Sequence, residues 1–218
     1  MKAHHTLLAL ALAAPLALLA RAPAGGSAHD GAAIPSGPTA DETTTARYVY
    51  GLLSDSRYAY RPRELDDALS ADVFKRYLEA LDGSKLFFTA QDVAKFAPYR
   101  TTLDDAIKDG QLEPAFAIFA MYKQRVEERS AFARALLKQD IFSFTGNDRW
   151  YYDREKADWA ADKGALDALW KESVRNDWLR LKLAGKKPDE IRKTLDKRYA
   201  NLLSSVNELK GEEVFQNF

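Results

Sequence analysis

The sequence predicts an all-α protein, an irregular bundle of about six to seven helices. From residue 43 onward, apolar residues recur at spacings of three and four, and no strand-like alternation is longer than four residues. Hydrophobic residues make up 46% of the 218 residues and aromatic residues 11%, which is enough to build a core. We therefore expect one helical domain.

Residues 1–28 have the pattern of a secretory signal peptide. Lys2 precedes an uncharged apolar run at 7–20, and small residues follow it. The run is shorter than the ~20 residues that span a bilayer, and no later segment is a candidate for a span. We expect cleavage after Ala28, with Ala24 as the alternative, and export to a bacterial periplasm. An uncleaved anchor is the competing interpretation.

The domain organisation follows from composition. Residues 29–42 are mostly small, with glycine and proline, which predicts a flexible lead-in. The helical domain is expected over 43–210. Residues 211–218 are interpreted as the truncated start of a following segment, because Val214, Phe215 and Phe218 have no later residues to pack against. This pattern suggests the front of a longer protein.

The first two helices are predicted from their apolar stripes. A helix at 43–53 is expected to be capped by Asp41 and to bury Val49, Leu52 and Leu53. A second is expected to begin at the cap Ser70, to end at Asp82-Gly83, and to bury one face. That face consists of Phe74, Tyr77, Leu78 and Leu81.

Capping signals predict the next two helices. Thr89 and Asp92 have the spacing of a capping box for a helix that stops near Pro98. Thr102 is expected to cap a short helix that stops at Gly110.

Three longer helices are expected in the second half of the chain. The longest runs from Pro114 to about Lys138. Its buried side is expected to contain Phe116, Phe119, Val126, Phe132 and Leu136, and its solvated side Lys123, Gln124, Arg125, Glu127, Glu128 and Arg129. A helix at 166–183 directs Leu169, Trp170, Trp178 and Leu181 inward and stops at Gly185. The last opens at Pro188 and breaks at Gly211.

An aromatic-rich loop is expected at 140–162. It contains Phe142, Phe144, Trp150, Tyr151, Tyr152 and Trp159 among charged residues. The first interpretation is a packed loop whose rings cover the core. The second is a recognition surface, because Tyr, Trp and Arg dominate binding hot spots. A platform for sugar stacking is a weaker third.

Composition excludes several kinds of chemistry. The chain has no cysteine, and its three histidines are His4, His5 and His29, so the folded region has neither residue. A Ser-His-Asp triad, a Cys-His pair and a conventional zinc site are therefore unavailable. The formal charge of zero, or −2 after removal of 1–28, disfavours a nucleic-acid binder. No cofactor is expected.

The remaining candidates for chemistry are weak, and we assign no catalytic, cofactor-binding or metal-binding residue. Asp66-Asp67 and Asp104-Asp105 are neighbours that face different ways on a helix and are expected to be solvated. Ser204-Ser205 with Lys186-Lys187 could suggest a Ser–Lys pair, but chance proximity is the simpler explanation. Glu79 or Glu172 could act as a lone acid, although no pattern selects either.

Several blocks, in one order over about residues 45–218, resemble the start of the tail-specific proteases, which are carboxy-terminal processing serine peptidases. They are 77–82 (YLEALD), 86–88 (LFF), 144–148 (FTGND), 181–186 (LKLAGK), 190–195 (EIRKTL) and 213–215 (EVF). The resemblance implies a helical N-terminal domain, with a PDZ domain and a Ser–Lys protease domain downstream. It also implies protein substrates with non-polar C-termini and an adaptor lipoprotein that could dock. The family's catalytic motif has no counterpart in these residues.

Three functions therefore stay open. The first is the scaffold and docking domain of an exported tail-specific protease, without the catalytic dyad. The second is a free-standing helical adaptor or binding protein of the periplasm. The third is a cell-wall hydrolase that uses carboxylates.

Overall fold

The fold is all-α, as the sequence predicts. The computed structural model describes residues 37–139 and 142–218, so the predicted signal peptide and the first part of the lead-in lie outside the described residues. Eight α-helices are present in these ranges, more than the predicted six to seven, because residues 211–217 form a further short helix. They are α1 (Ala40–Ser54), α2 (Asp67–Asp82), α3 (Ala90–Lys95), α4 (Leu103–Asp109), α5 (Glu113–Leu137), α6 (Lys163–Leu183), α7 (Pro188–Asn207) and α8 (Gly211–Asn217), with a 3-10 turn at Ala97–Thr101. Within the described ranges, no helix is long and apolar enough to cross a membrane.

The core consists of two hydrophobic clusters along α5. This helix has 25 residues and is about 37 Å long. Its first half packs with α2, α4 and α8 around Tyr77, Phe88 and Phe119, and its second half packs with α6 and α7 around Trp170 and Leu195. Because one helix contributes to both clusters, the two halves of the fold share a rigid element.

The helix starts differ from the predicted caps in two places. Thr39, not Asp41, caps α1, and its hydroxyl accepts a hydrogen bond from the Glu42 amide at 3.2 Å. Asp66, not Ser70, caps α2. Ser70 is fully buried, and its hydroxyl accepts a bond from the Leu103 amide at 2.8 Å. A residue predicted as a cap therefore joins the start of α4 to α2.

Other predicted ends are confirmed. Thr89 and Asp92 form the expected capping box at the start of α3. Gly110 ends α4 with φ of 69°, in the left-handed region that favours glycine. A Cβ at Gly110 would also lie 2.6 Å from the methyl group of Thr43, so α1 approaches too closely for any other residue. Thr102 makes no capping bond, because its hydroxyl donates to the Pro98 carbonyl instead.

The predicted buried stripe of α1 is wrong. Val49, Leu52 and Leu53 are 43%, 53% and 49% exposed. The helix packs on α4 through its first half, where Ala46 is buried and the Arg47 guanidinium donates to the Asp109 carbonyl at 2.7 Å. Val49 and Leu53 follow Ala46 by three and seven residues and share its side of the helix, but they lie in the second half of α1, which stays exposed.

The charged side of α5 is solvated only in part. Arg129 is 2% exposed, and Arg125 is largely buried, because α3 and α6 pack over this face. Arg125 donates to both oxygens of Asp92, at 2.8 and 2.9 Å, and pairs with Glu128. Arg129 donates to Asp167 on α6. Ion pairs therefore connect α5 to both neighbours.

The Asp92 carboxylate is the centre of this network. Its side chain is 1% exposed and accepts bonds from Arg125 and from the amide and hydroxyl of Thr89. Burial alone would raise the pKa of Asp92, but Arg125 and Thr89 outweigh it and hold the pKa at about 2. The carboxylate is therefore ionised in the folded protein at neutral pH.

Asp82 organises the turn between α2 and α3. Its buried carboxylate accepts bonds from the backbone amides of Leu86, Phe87 and Phe88, at 2.8 to 2.9 Å. Burial raises the pKa of Asp82 to about 6, although the three amides act in the opposite direction. This one side chain supplies the acceptors for three consecutive amides that no helix satisfies.

The apolar end of the chain packs within this fold. Val214 is fully buried, and the Phe218 ring lies 5.2 Å from the Tyr77 ring in an edge-to-face arrangement. Helix α8 packs against α5. Val214 and Phe218, which suggested a continuing segment, thus pack on the described helices.

Asp92→Asn should lower the free energy of unfolding by about 2–4 kcal/mol at pH 7, because Arg125 would lose its buried partner. The folded-state pKa of Asp92 lies below the unfolded value of about 3.9, so its stabilisation is present above that pH and is lost as the pH falls toward 2. The difference from wild type, measured by urea unfolding, should shrink over that interval. Lys75→Gln, which breaks an exposed 3.9 Å pair, is the control and should change stability by less than about 0.5 kcal/mol. Equal stability of the two variants would contradict this role for Asp92.

Asp82→Ala should lower the free energy of unfolding by at least about 3 kcal/mol, because three amides would lose their acceptor. The matched control is Asp72→Ala, an exposed aspartate on the same helix, which should stay within about 0.5 kcal/mol of wild type. Thermal or urea unfolding measures both. A loss below about 1 kcal/mol for Asp82→Ala would show that the turn does not depend on this carboxylate.

Candidate functional site

The aromatic-rich segment is the strongest candidate surface from the sequence, and its described part, 142–162, contains no helix. Its two ends pack on the core. The Phe142 ring lies 5.7 Å from the Trp178 ring, and the Trp159 ring lies 5.9 Å from the Phe88 ring. The Ala160 carbonyl accepts a bond from the Ala90 amide at 2.8 Å. The packed-loop interpretation holds for these ends.

The middle of the segment is open to solvent. Tyr151 and Tyr152 are both exposed. The Tyr152 hydroxyl donates to the Asn176 amide oxygen at 3.2 Å, and the Arg180 guanidinium lies 5.8 Å from its ring centre. The middle part is therefore accessible to solvent, and its use as a recognition surface stays a prediction.

A cavity of about 270 Å³ lies between this segment and the turn from α6 to α7. Gly185, with φ of 81°, makes that turn and leads into Lys186 and the first residue of α7. The Lys182 ammonium lies 4.7 Å from the centre of the Phe144 ring. The lining residues are Gln139, Phe142, Phe144, Trp178, Lys182, Lys186, Pro188 and Ile191. We call this the Phe144 pocket.

A polar triad of Tyr199, Asp177 and Arg198 joins α6 and α7, and the tyrosine is its buried member. The Tyr199 hydroxyl donates to Asp177 at 3.0 Å, and Arg198 pairs with the same carboxylate. Burial raises the pKa of Tyr199, and the Asp177 charge adds to this effect. Tyr199 is therefore a neutral donor that fixes the two helices that flank the pocket.

The paired aspartates do not form a catalytic dyad. Asp66 is used as the α2 cap, and Asp105 is exposed. Asp104 is the exception to the predicted solvated faces, because it is 7% exposed and one of its carboxylate oxygens lacks a hydrogen-bond partner. It lies in the first turn of α4, where the helix dipole favours a negative charge.

The Ser and Lys candidates are far apart. Helix α7 separates Lys187 from Ser204 by about 25 Å along its axis. The Ser204 hydroxyl donates to Glu208, and the Ser205 hydroxyl donates to the Asn201 carbonyl. These residues therefore cannot form a nucleophile and base in one site.

The two glutamates considered as lone acids are both in surface ion pairs. Glu79 lies 3.9 Å from Lys75, and Glu172 lies 2.9 Å from Arg175. Neither occupies the apolar setting that a raised-pKa general acid requires. Among the described residues, no three acidic side chains converge as a metal site would need.

Two features of the surface were missed by sequence reasoning. The Phe144 pocket joins Gln139, Phe142 and Phe144 to side chains from the end of α6 and the start of α7, which no local pattern connects. The other is the exposed apolar face of α1. Of nine large hydrophobic side chains that are exposed in the described residues, six lie in 48–60: Tyr48, Val49, Leu52, Leu53, Tyr58 and Tyr60. The sequence showed this stripe but could not show that its side chains are exposed among the described residues.

Comparison with known proteins supports the resemblance found in the sequence. The family model for the tail specific protease N-terminal domain matches residues 52–218. A tail-specific protease from Haemophilus influenzae is 36% identical over 160 residues, which cover 72% of this chain and 23% of that protein. The chain thus spans less than a quarter of the length of this relative. By match and by fold, the chain belongs to the tail-specific protease N-terminal domain family.

Proposed function

We propose that this chain is the scaffold and docking domain of an exported tail-specific serine endopeptidase that degrades or processes periplasmic proteins. The observation that carries the proposal is the family match over residues 52–218. The PDZ domain, the Ser–Lys dyad and the recognition of substrates with non-polar C-termini belong to polypeptide outside these residues. In this proposal the helices hold partners in place and form no bonds with substrate.

The internal architecture supports a scaffold. Helix α5 carries both core clusters, and the ion pairs of Arg125 and Arg129 fix it to α3 and α6. Such a unit has few ways to deform, because its charged contacts are buried together with its apolar ones. A rigid body of this kind suits the positioning of other domains.

The exposed face of α1 supports docking. Tyr48, Val49 and Leu52 lie on one side of α1 and are exposed, and Tyr58 and Tyr60 in the next loop are exposed as well. Exposed apolar patches of this kind mark interaction sites on soluble proteins. In the proposed protein, this face takes the remaining polypeptide or a partner such as an adaptor lipoprotein.

The same face is also compatible with the second candidate, a free-standing adaptor or binding protein. The two candidates differ in what the coding sequence contains after Phe218. A coding sequence that continues into a PDZ domain and a Ser–Lys protease domain supports the protease. A stop codon directly after Phe218 in an intact genome supports the adaptor.

The chain over residues 29–218 should not cleave unstructured peptides with apolar C-termini, whereas the full product of its gene should. Peptide cleavage followed by mass spectrometry measures both, at equal enzyme concentration. Sustained turnover by the 29–218 chain would overturn the scaffold proposal. Inactivity of a folded full-length product on a panel of such peptides would overturn the protease assignment.

Expression of the whole sequence in a Gram-negative bacterium should place the chain in the periplasmic fraction with His29 as its first residue. Sequencing of the N-terminus measures this, and Gly25 as the first residue would identify the alternative cleavage site. Leu12→Arg should block export, because a charge interrupts the apolar run. Retention of the uncleaved chain in the membrane fraction would show an anchor instead.

A further inference from the structure

The proposed scaffold function assigns no task to the Phe144 pocket. We propose that it binds an aromatic carboxylate about as large as a single amino acid, with the ring among the apolar residues and the carboxylate on Lys182 and Lys186. This inference does not depend on the proposed function, because it rests on the lining of the cavity alone.

The apolar part of the pocket suits one ring. Phe142 and Phe144 form one wall, and Trp178 and Ile191 from α6 and α7 form the other. Phe142 is held by its contact with Trp178, and Ile191 is fully buried, so the walls are fixed by the core. The volume of about 270 Å³ is below the 300–1,000 Å³ typical of drug-sized ligands. A single side chain therefore fits better than a long acyl chain.

The charged part of the pocket suits an anion. Lys182 and Lys186 are the charged lining residues, and no described carboxylate lines the cavity. Within the described chain, neither ammonium is paired with a carboxylate, while other exposed lysines, such as Lys163, are paired. The Lys182 ammonium lies over the Phe144 ring, which orients it at the edge of the apolar wall. A ligand that is apolar at one end and negative at the other complements this arrangement.

The other large cavities differ in their charges. The cavity of about 440 Å³ between α2 and the end of the aromatic segment also combines aromatic rings with cations, but three carboxylates line it as well. The groove of about 520 Å³ beside α4 is lined by Asp105, Asp109 and Glu113 without a lysine or arginine. The crevice of about 110 Å³ between α3, α5 and α6 is occupied by the ion pairs of Arg125 with Asp92 and Glu128. Among these cavities, the Phe144 pocket is thus the one in which aromatic walls and lysines meet without a described carboxylate in the lining.

Two sources carry this chemistry: a free aromatic acid and the last residue of a polypeptide. Titration of the purified protein with N-acetylphenylalanine, followed by calorimetry or by NMR shifts of the Trp178 indole, should give a Kd of about 0.1–1 mM. N-acetylphenylalaninamide, which lacks the charge, should bind at least about tenfold more weakly. A ten-residue peptide that ends in phenylalanine forms the third arm. Binding of this peptide identifies polypeptide ends as ligands. If the peptide does not bind while the free acid does, free aromatic acids are the ligands.

The double variant Lys182→Gln/Lys186→Gln should weaken binding of the acid at least about tenfold, without loss of folding, because both side chains are exposed. Lys171→Gln, an exposed lysine of α6 outside the pocket, is the matched control and should leave the Kd unchanged. Phe144→Ala should weaken the acid and the amide alike, since it removes apolar contact. Equal Kd values for acid and amide, equal effects of Lys171→Gln and the double variant, or no binding at 10 mM acid would each overturn the proposal.

Discussion

The structure depends on the burial of two arginines on one face of α5. Arg125 and Arg129 lie where a long amphipathic helix would normally meet water, and each charge is compensated by an aspartate from another helix. A buried charge without a partner costs several kcal/mol, so α3 and α6 cannot leave α5 without exposing or orphaning these groups. The apolar clusters supply most of the driving force, and the ion pairs fix which helix lies where.

The same constraint explains how Asp92 can serve two elements. It caps α3 through Thr89 and neutralises Arg125 on α5, so the start of a six-residue helix is fixed to the central one. A helix this short is marginal by itself. Its position follows from the ion pair and from the neighbouring Asp82 turn, which holds the preceding amides. Polar contacts thus fix the position of α3, which is too short to be stable as an isolated helix.

The helices could be predicted from the sequence because caps, stops and apolar spacing are local. The Thr89 and Asp92 box, the stop at Gly110 and the extent of α5 follow from a few neighbouring residues. Whether a side chain is buried, in contrast, depends on elements that are distant in the sequence. Arg129 reads as a solvated residue until α6 covers it, and Leu52 reads as a core residue although it is exposed in the second half of α1. The errors therefore lie in which side chains another element covers, and not in where the helices are.

The same distinction applies to the candidate site. The sequence identified residues 140–162 as an unusual aromatic segment and left open whether it packs or binds. The packed interpretation is confirmed for the ends, which pack on Phe88 and Trp178, whereas Tyr151 and Tyr152 are exposed and their role in recognition stays a prediction. The Phe144 pocket arises only when this segment meets the α6–α7 turn, so neither half of its lining indicates a pocket alone. An aromatic loop therefore acquires a specific binding chemistry from the helix ends against which it packs.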